Sequence, residues 1–180
     1  MSIFSFGKNK RRSERDLERS DQGNVKPTQI FISHRYKKDQ RFLAAIKGRL
    51  EDHVRIDDGS LTKEQMLSGP RGGKVPGFEV KKEIFDRISQ SDVVICRNTS
   101  SITNNEWISW EIDTAAIALK KPILFVDDRI DAVRGSAIYT ELKNAEAIVG
   151  KCELDGHRMI NEIKKLTNQL SASPAAAQDQ

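Results

Sequence analysis

Asp92–Cys96 reads DVVIC and Pro122–Val126 reads PILFV, two runs in which apolar side chains follow one another without the polar alternation of a half-buried strand. Successive strand side chains point to opposite faces, so such runs must be covered on both sides. A third run, Gln29–Ser33 (QIFIS), follows Pro27 and ends in the polar cluster His34, Arg35 and Tyr36. Val54–Asp57 and Ala147–Gly150 supply two shorter strands. Between the strands the apolar period lengthens to that of a helix. It does so over Asp39–Leu50 (Phe42, Leu43, Ile46, Leu50), over Phe78–Gln90 (Val80, Ile84, Phe85, Ile88), within Ile130–Leu142 and over Gly156–Leu170. Five strands alternating with helices predict an α/β fold in three layers, a parallel sheet covered on both faces and joined by right-handed crossovers.

The ends of the chain differ from this body. The leader, residues 1–27, is charged, and a predicted domain over 28–171 is followed by a tail, 172–180, with no core pattern. The formal charge is +4, but the first 28 residues hold seven Lys or Arg against four Asp or Glu, so the body is close to neutral. The cluster Lys8, Lys10, Arg11 and Arg12 therefore reads as a solvated, disordered leader and not as a nucleic-acid or membrane-surface site. The opening MSIFSFG is too short for the apolar core of a secretory signal, and no run of about 18 apolar residues could span a bilayer. Cys96 and Cys152 sit in or beside apolar runs, as small core residues of a reducing compartment do. A soluble, cytoplasmic protein without a structural disulfide is expected.

In a doubly wound sheet, ligands bind outside the carboxyl ends of the strands, where the strand order reverses. His34 and Arg35, Asp57 and Asp58, and Arg97 and Asn98 should converge there. The long polar stretch after Ser60, which contains SGPRGGKVPG at 68–77, is too rich in Gly and Pro for regular structure and has the length of a functional loop.

Several chemistries are absent. Gly73-Lys74 is followed by Val75, and Ser68 stands where a P-loop needs its leading glycine. No GxGxxG turn follows the first strand, so a Rossmann-type cofactor grip is missing. His34, His53 and His157 are scattered, and neither cysteine has ligand spacing, so no metal site is expected. Ser33 and His34 are strand neighbours that point apart and cannot form a triad pair. A phosphoacceptor receiver domain shares this arrangement of elements, but it needs acids after the first strand and an Asp after the third. Here those places hold His34-Arg35 and Arg97-Asn98.

What remains is Asn104–Ala116, NNEWISWEIDTAA. Trp107 and Glu111 are four residues apart, stacked on one side of a predicted helix, while Ile108, Ile112, Ala115 and Leu119 form its buried stripe about one residue further round. This places Trp107 and Glu111 at the margin of the stripe, where a cleft can open. A lone carboxylate with an aromatic wall and cationic neighbours is the candidate site.

FISHRY after the first strand, RGGKVPG before the second helix and WISWEI in the third resemble the three signature regions of TIR domains: the FISY strand, the BB loop and the WxxxE helix. DDGS at 57–60, NTSSITNNEWISWEIDTA at 98–115 and KKPI at 120–123 resemble the TIR-like branch of the ThsB proteins of Thoeris anti-phage defence. The resemblance runs over about Gln29–Leu170 and implies the flavodoxin-like, TIR strand order 2-1-3-4-5. It also implies cleavage of the nicotinamide–ribose bond of NAD+, with NAD+ as substrate and no separate cofactor. Glu111 is then the catalytic carboxylate and Trp107 its aromatic frame. Ser33, His34, Arg35 and Asp58 form the substrate-binding set, with Arg35 the pyrophosphate contact. His34 departs from the Tyr or Phe common at its position, and Arg71 and Pro76 match the BB loop loosely. The product is an ADP-ribose derivative, cyclic in the ThsB branch, passed as a nucleotide signal to a separate effector. Self-assembly through 68–77 is the expected contact between subunits. The competing expectation is a non-catalytic scaffold that signals by self-association.

Overall fold

A computed structural model of the chain describes residues 26–35, 38–59, 78–99, 102, 105–128 and 137–172. The elements run β1 (Gln29–Ser33), α1 (Gln40–Leu50), β2 (Arg55–Asp57), α2 (Phe78–Gln90), β3 (Val93–Arg97), α3 (Glu106–Asp113), β4 (Ile123–Asp127), α4 (Ala137–Asn144), β5 (Val149–Glu153) and α5 (Gly156–Ala172). The five strands form one sheet in the order β2-β1-β3-β4-β5. Every strand pair is parallel.

The period of two in each strand divides the core. Phe31, Val94, Cys96, Ile123 and Phe125 face α2, α3 and α4, where they meet Ile84, Ile88, Ile108, Ile112 and Leu142. Ile30, Ile32, Val93, Ile95, Leu124 and Val126 face α1 and α5, against Phe42, Ile46, Met159, Ile163 and Leu166. Val93 to Cys96 and Ile123 to Val126 are all 0% exposed, as unbroken apolar runs require. Each such side chain contributes about 1.5–3 kcal/mol over leaving it in water. Cys96 is buried, Cys152 is half-buried, and both are free.

Most boundaries move by one or two residues from the sequence reading, and the two edge strands differ most. β5 continues through Lys151, Cys152 and Glu153, because an edge strand keeps one side polar and so lacks the continuous apolar signature. β2, the other edge, is only three residues long. The leader up to residue 25, the loop 60–77, residues 129–136 and the tail from 173 lie outside the described residues, and with them the expectations for 68–77, Arg71 and Pro76. No helix among the described residues is long and apolar enough to cross a membrane.

Candidate active site

β1 and β3 lie side by side, Ser33 opposite Cys96, although the chain visits β2 between them. Their carboxyl ends mark the point where the strand order reverses, so the loops leaving them diverge and open a hollow. Because Ser33 has the parity of Phe31, it falls on the face covered by α3.

α3 begins at Asn105, whose side-chain oxygen accepts from the backbone N–H groups of Trp107 (3.0 Å) and Ile108 (3.2 Å). From there Ile108, Glu111, Ile112 and Ala115 follow the i, i+3, i+4, i+7 positions of one helical face. Glu111 therefore occupies a core position and not the margin expected for it, and it is 3% exposed. Trp107 is the half-buried member, packed at 5.3 Å from Trp110. The helix then widens into a π turn over Thr114–Ala118, where Leu119 N–H donates to Thr114 O at 3.0 Å. Such a turn inserts one extra residue and shifts the stripe, which leaves Ile117 57% exposed.

The Ser33 hydroxyl donates to Glu111 Oε2 at 2.5 Å, and the Trp107 side chain lies near enough to favour the charged carboxylate. Burial pushes the Glu111 pKa up to about 7, against the Ser33 hydrogen bond, the Trp107 side chain and the more distant Arg87 charge, which favour the ionised form. Burial and then the nearby Glu111 push the Cys96 thiol up as well. Arg87 went unnoticed in the sequence, where it is one basic residue in the last turn of α2. It is held by Asp57 through Nε (2.8 Å) and Nη2 (2.5 Å).

Ser33 also lines a narrow cleft with Arg35, Asp39, Arg97, Thr99, Ile102 and Ile108. Arg35 grips Asp39 through Nε (2.9 Å) and Nη2 (2.8 Å), and Arg97 reaches the same carboxylate at 3.1 Å. Burial alone would raise the Asp39 pKa, but the hydrogen bonds and charge of Arg35, with Arg97, outweigh it and hold the group below the usual carboxylate range. Asp39 was missed because the helical pattern over Asp39–Leu50 takes it as the first residue of the helix, whereas it lies just before α1 at the N-cap position. In fact its side chain makes no capping bond and turns to Arg35.

The structure thus brings Ser33, Trp107 and Glu111 into contact and sets Arg35 on the cleft that Ser33 lines. Asp58, at the carboxyl end of the neighbouring strand, is paired with Lys47 at 2.5 Å. His34 turns Nδ1 toward Ile32 O at 3.2 Å, and its buried Nε2 has no hydrogen-bond partner. The chain after β2 closes tightly against β1 at Gly59, which has φ +64° and where a Cβ would meet Ile32 O at 2.7 Å. Among the described residues no group of three or more His, Cys, Asp or Glu could hold a metal ion.

A doubly wound α/β protein with a buried carboxylate at the β1/β3 switch point is the class this fold and site define. The chain belongs to the family described as Thoeris protein ThsB, TIR-like domain, whose family model matches residues 31–132, more than half of its length. No curated protein matches it by sequence. Among solved structures it is similar to the CMP N-glycosidase BcmB of Clostridium botulinum, at 14% identity and a TM-score of 0.47, over 80% of this chain and 98% of that one.

Proposed function

We propose that this protein cleaves NAD+ at the nicotinamide–ribose bond, with Glu111 as the catalytic carboxylate, and releases an ADP-ribose-derived, cyclic signal in bacterial anti-phage defence. The observation that carries the reading is a carboxyl group buried to 3% exposure at the carboxyl edge of the sheet, held by the Ser33 hydroxyl beside Trp107 and with its pKa pushed up to about 7. Family membership supports the same reading.

The chemistry asks little of the protein. When the glycosidic bond breaks, its electron pair leaves with the pyridinium nitrogen and nicotinamide departs neutral, so no acid is needed. The ribose becomes an oxocarbenium-like cation, which a carboxylate in a water-poor site stabilises strongly. Capture by water gives linear ADP-ribose, and capture by a nucleophile of the same molecule gives a cyclic product. To reach the ribose, Glu111 exchanges its Ser33 bond for one from a sugar hydroxyl. Trp107 frames the ring, and Arg35 meets the pyrophosphate. Since the ionised form is the active one, turnover rises with pH through about 7.

The second reading, an interaction module without catalysis, is favoured by the same burial: Glu111 is 3% exposed and lies behind Ser33 instead of lining the cleft. Purified protein incubated with NAD+ and assayed for free nicotinamide decides between them. Glu111→Gln should lower the rate about 100-fold or more. Undiminished release by that variant rejects Glu111, and silence of the wild type, both as monomer and assembled, leaves the interaction module.

A further inference from the structure

All strands run the same way, so their amino ends share one edge of the sheet, opposite the candidate site. Gln29 N–H donates to Asp92 Oδ2 at 2.7 Å, and Asp92 N–H returns to Gln29 O at 2.7 Å. Val94 N–H reaches Pro122 O and Ile123 N–H reaches Ile148 O, both at 2.9 Å. These bonds string the starts of β1, β3, β4 and β5 along that edge. Beside them lies a groove of about 720 Å³, lined by Ile117 and Leu119 from the π turn and its end, Leu142 from α4, Ile148 from the approach to β5 and Leu170 from the last turn of α5.

The backbone accounts for the hollow. The π turn and α4 are each followed by a non-glycine residue in the left-handed region, Lys120 at φ +52° and Glu146 at φ +58°, and both residues line the groove. That conformation ends a helix, and the chain turns at once toward β4 or β5, so neither helix extends across the space between them. Because the π turn shifts Ile117 off the buried stripe, a large apolar side chain, 57% exposed, lines this groove instead of joining the core. An apolar hollow of this size marks a contact surface.

Four longer stretches of chain lie outside the described residues, and where they attach separates them as occupants. The stretches 60–77 and 129–136 leave the carboxyl ends of β2 and β4, on the far edge of the sheet. The stretch 173–180, SPAAAQDQ, starts close to Leu170, but its apolar side chains are only Ala and Pro. The leader arrives at the same edge as the groove. It joins the domain at Lys26, beside Lys121 of the groove: burial lowers the Lys121 pKa, Asp92 raises it less, and the Lys26 charge adds to the lowering. Its large apolar residues are concentrated in MSIFSFG, as Met1, Ile3, Phe4 and Phe6, while 8–25, KNKRRSERDLERSDQGNV, has only Leu17 and Val25. A connection of that length spans up to about 60 Å, which puts the groove within reach and makes the encounter intramolecular.

We propose that the apolar segment Met1–Gly7 seats in this groove of its own chain, with Phe4 and Phe6 against Ile117, Leu142 and Leu170, and that residues 8–25 are its tether. The contact does not depend on the reaction at Glu111.

NMR on the full chain, with phenylalanine rings and methyl groups isotopically labelled, tests it. Through-space contacts are expected from Phe4 and Phe6 to the methyl groups of Ile117, Leu142 and Leu170. They should vanish in an equal mixture of ring-labelled and methyl-labelled copies, as contacts within one chain do. Phe4→Ser together with Phe6→Ser should speed amide hydrogen exchange over 117–121 and 142–148 about tenfold. Ile117→Lys, at a position too exposed for the fold to need it, should have the same effect. Absence of the ring–methyl contacts, or exchange left unchanged by either variant, overturns the proposal. Contacts that persist in the mixture assign the groove to the leader of a second copy and overturn it as well.

Discussion

Glu111 and Asp39 are both 3% exposed and both belong to the switch point between β1 and β3, yet burial has opposite consequences for them. Around Glu111 the near partners are a hydroxyl and an indole, and the nearest cation influencing it, Arg87, acts only at a distance through its charge. Around Asp39 two guanidinium groups are in direct contact. Desolvation is therefore only partly opposed in the helix layer and overruled at the strand ends. Paired carboxylates driven apart in this way divide labour: one is poised to change charge near neutrality, and the other stays charged to hold its neighbours.

Removing the charged partner is the harshest way to break the contrast. Asp39→Ala leaves two half-buried arginines facing each other and should cost about 3 kcal/mol in urea unfolding. The pH dependence of stability sharpens it next, because the signs differ. The folded Glu111 pKa lies above its unfolded value of 4.5, so its contribution is fully present below 4.5 and is lost as pH rises through about 7. Asp39 is lowered from 3.8, so its contribution is present above 3.8 and is lost as pH falls below it. Chemical denaturation of Glu111→Gln across this range should remove the neutral-side loss and leave the acid-side loss intact. Ser33→Ala takes away a donor that favours the ionised carboxylate. It should cost about 1–2 kcal/mol and move the midpoint of the pH–rate profile to higher pH, and a midpoint that stays put would separate Ser33 from Glu111 energetically. The smallest effect is expected at Asn105→Ala, which loses the cap that sets where α3 begins, about 1 kcal/mol of stability by thermal unfolding.

The two sites were not equally readable in the chain. Glu111 stood out because Trp107 precedes it by one helical turn, and its depth was encoded too, since 108, 111, 112 and 115 form one stripe. A charged residue in that stripe reads as a break in the pattern when it is a buried acid. Asp39 carried no such mark. Its place before α1 suggests capping, and only the arrival of Arg35 from the same loop and Arg97 from β3 shows otherwise. The Lys47 partner of Asp58 was equally hidden, because a strand end narrows position to an edge without choosing a partner.

Local pattern was enough for the alternation of strands and helices, for the doubly covered β3 and β4, and for singling out Glu111 as the candidate carboxylate near the carboxyl end of β1. Those features depend on periodicity and on strand direction, which are properties of neighbouring residues. The pairing of Ser33 with Glu111, 78 positions apart, and of Arg97 with Asp39, 58 apart, belongs to the packed molecule. So does the sign of each carboxylate's shift, because desolvation and charge are summed over whatever the fold carries into contact, and distance along the chain has no part in that sum.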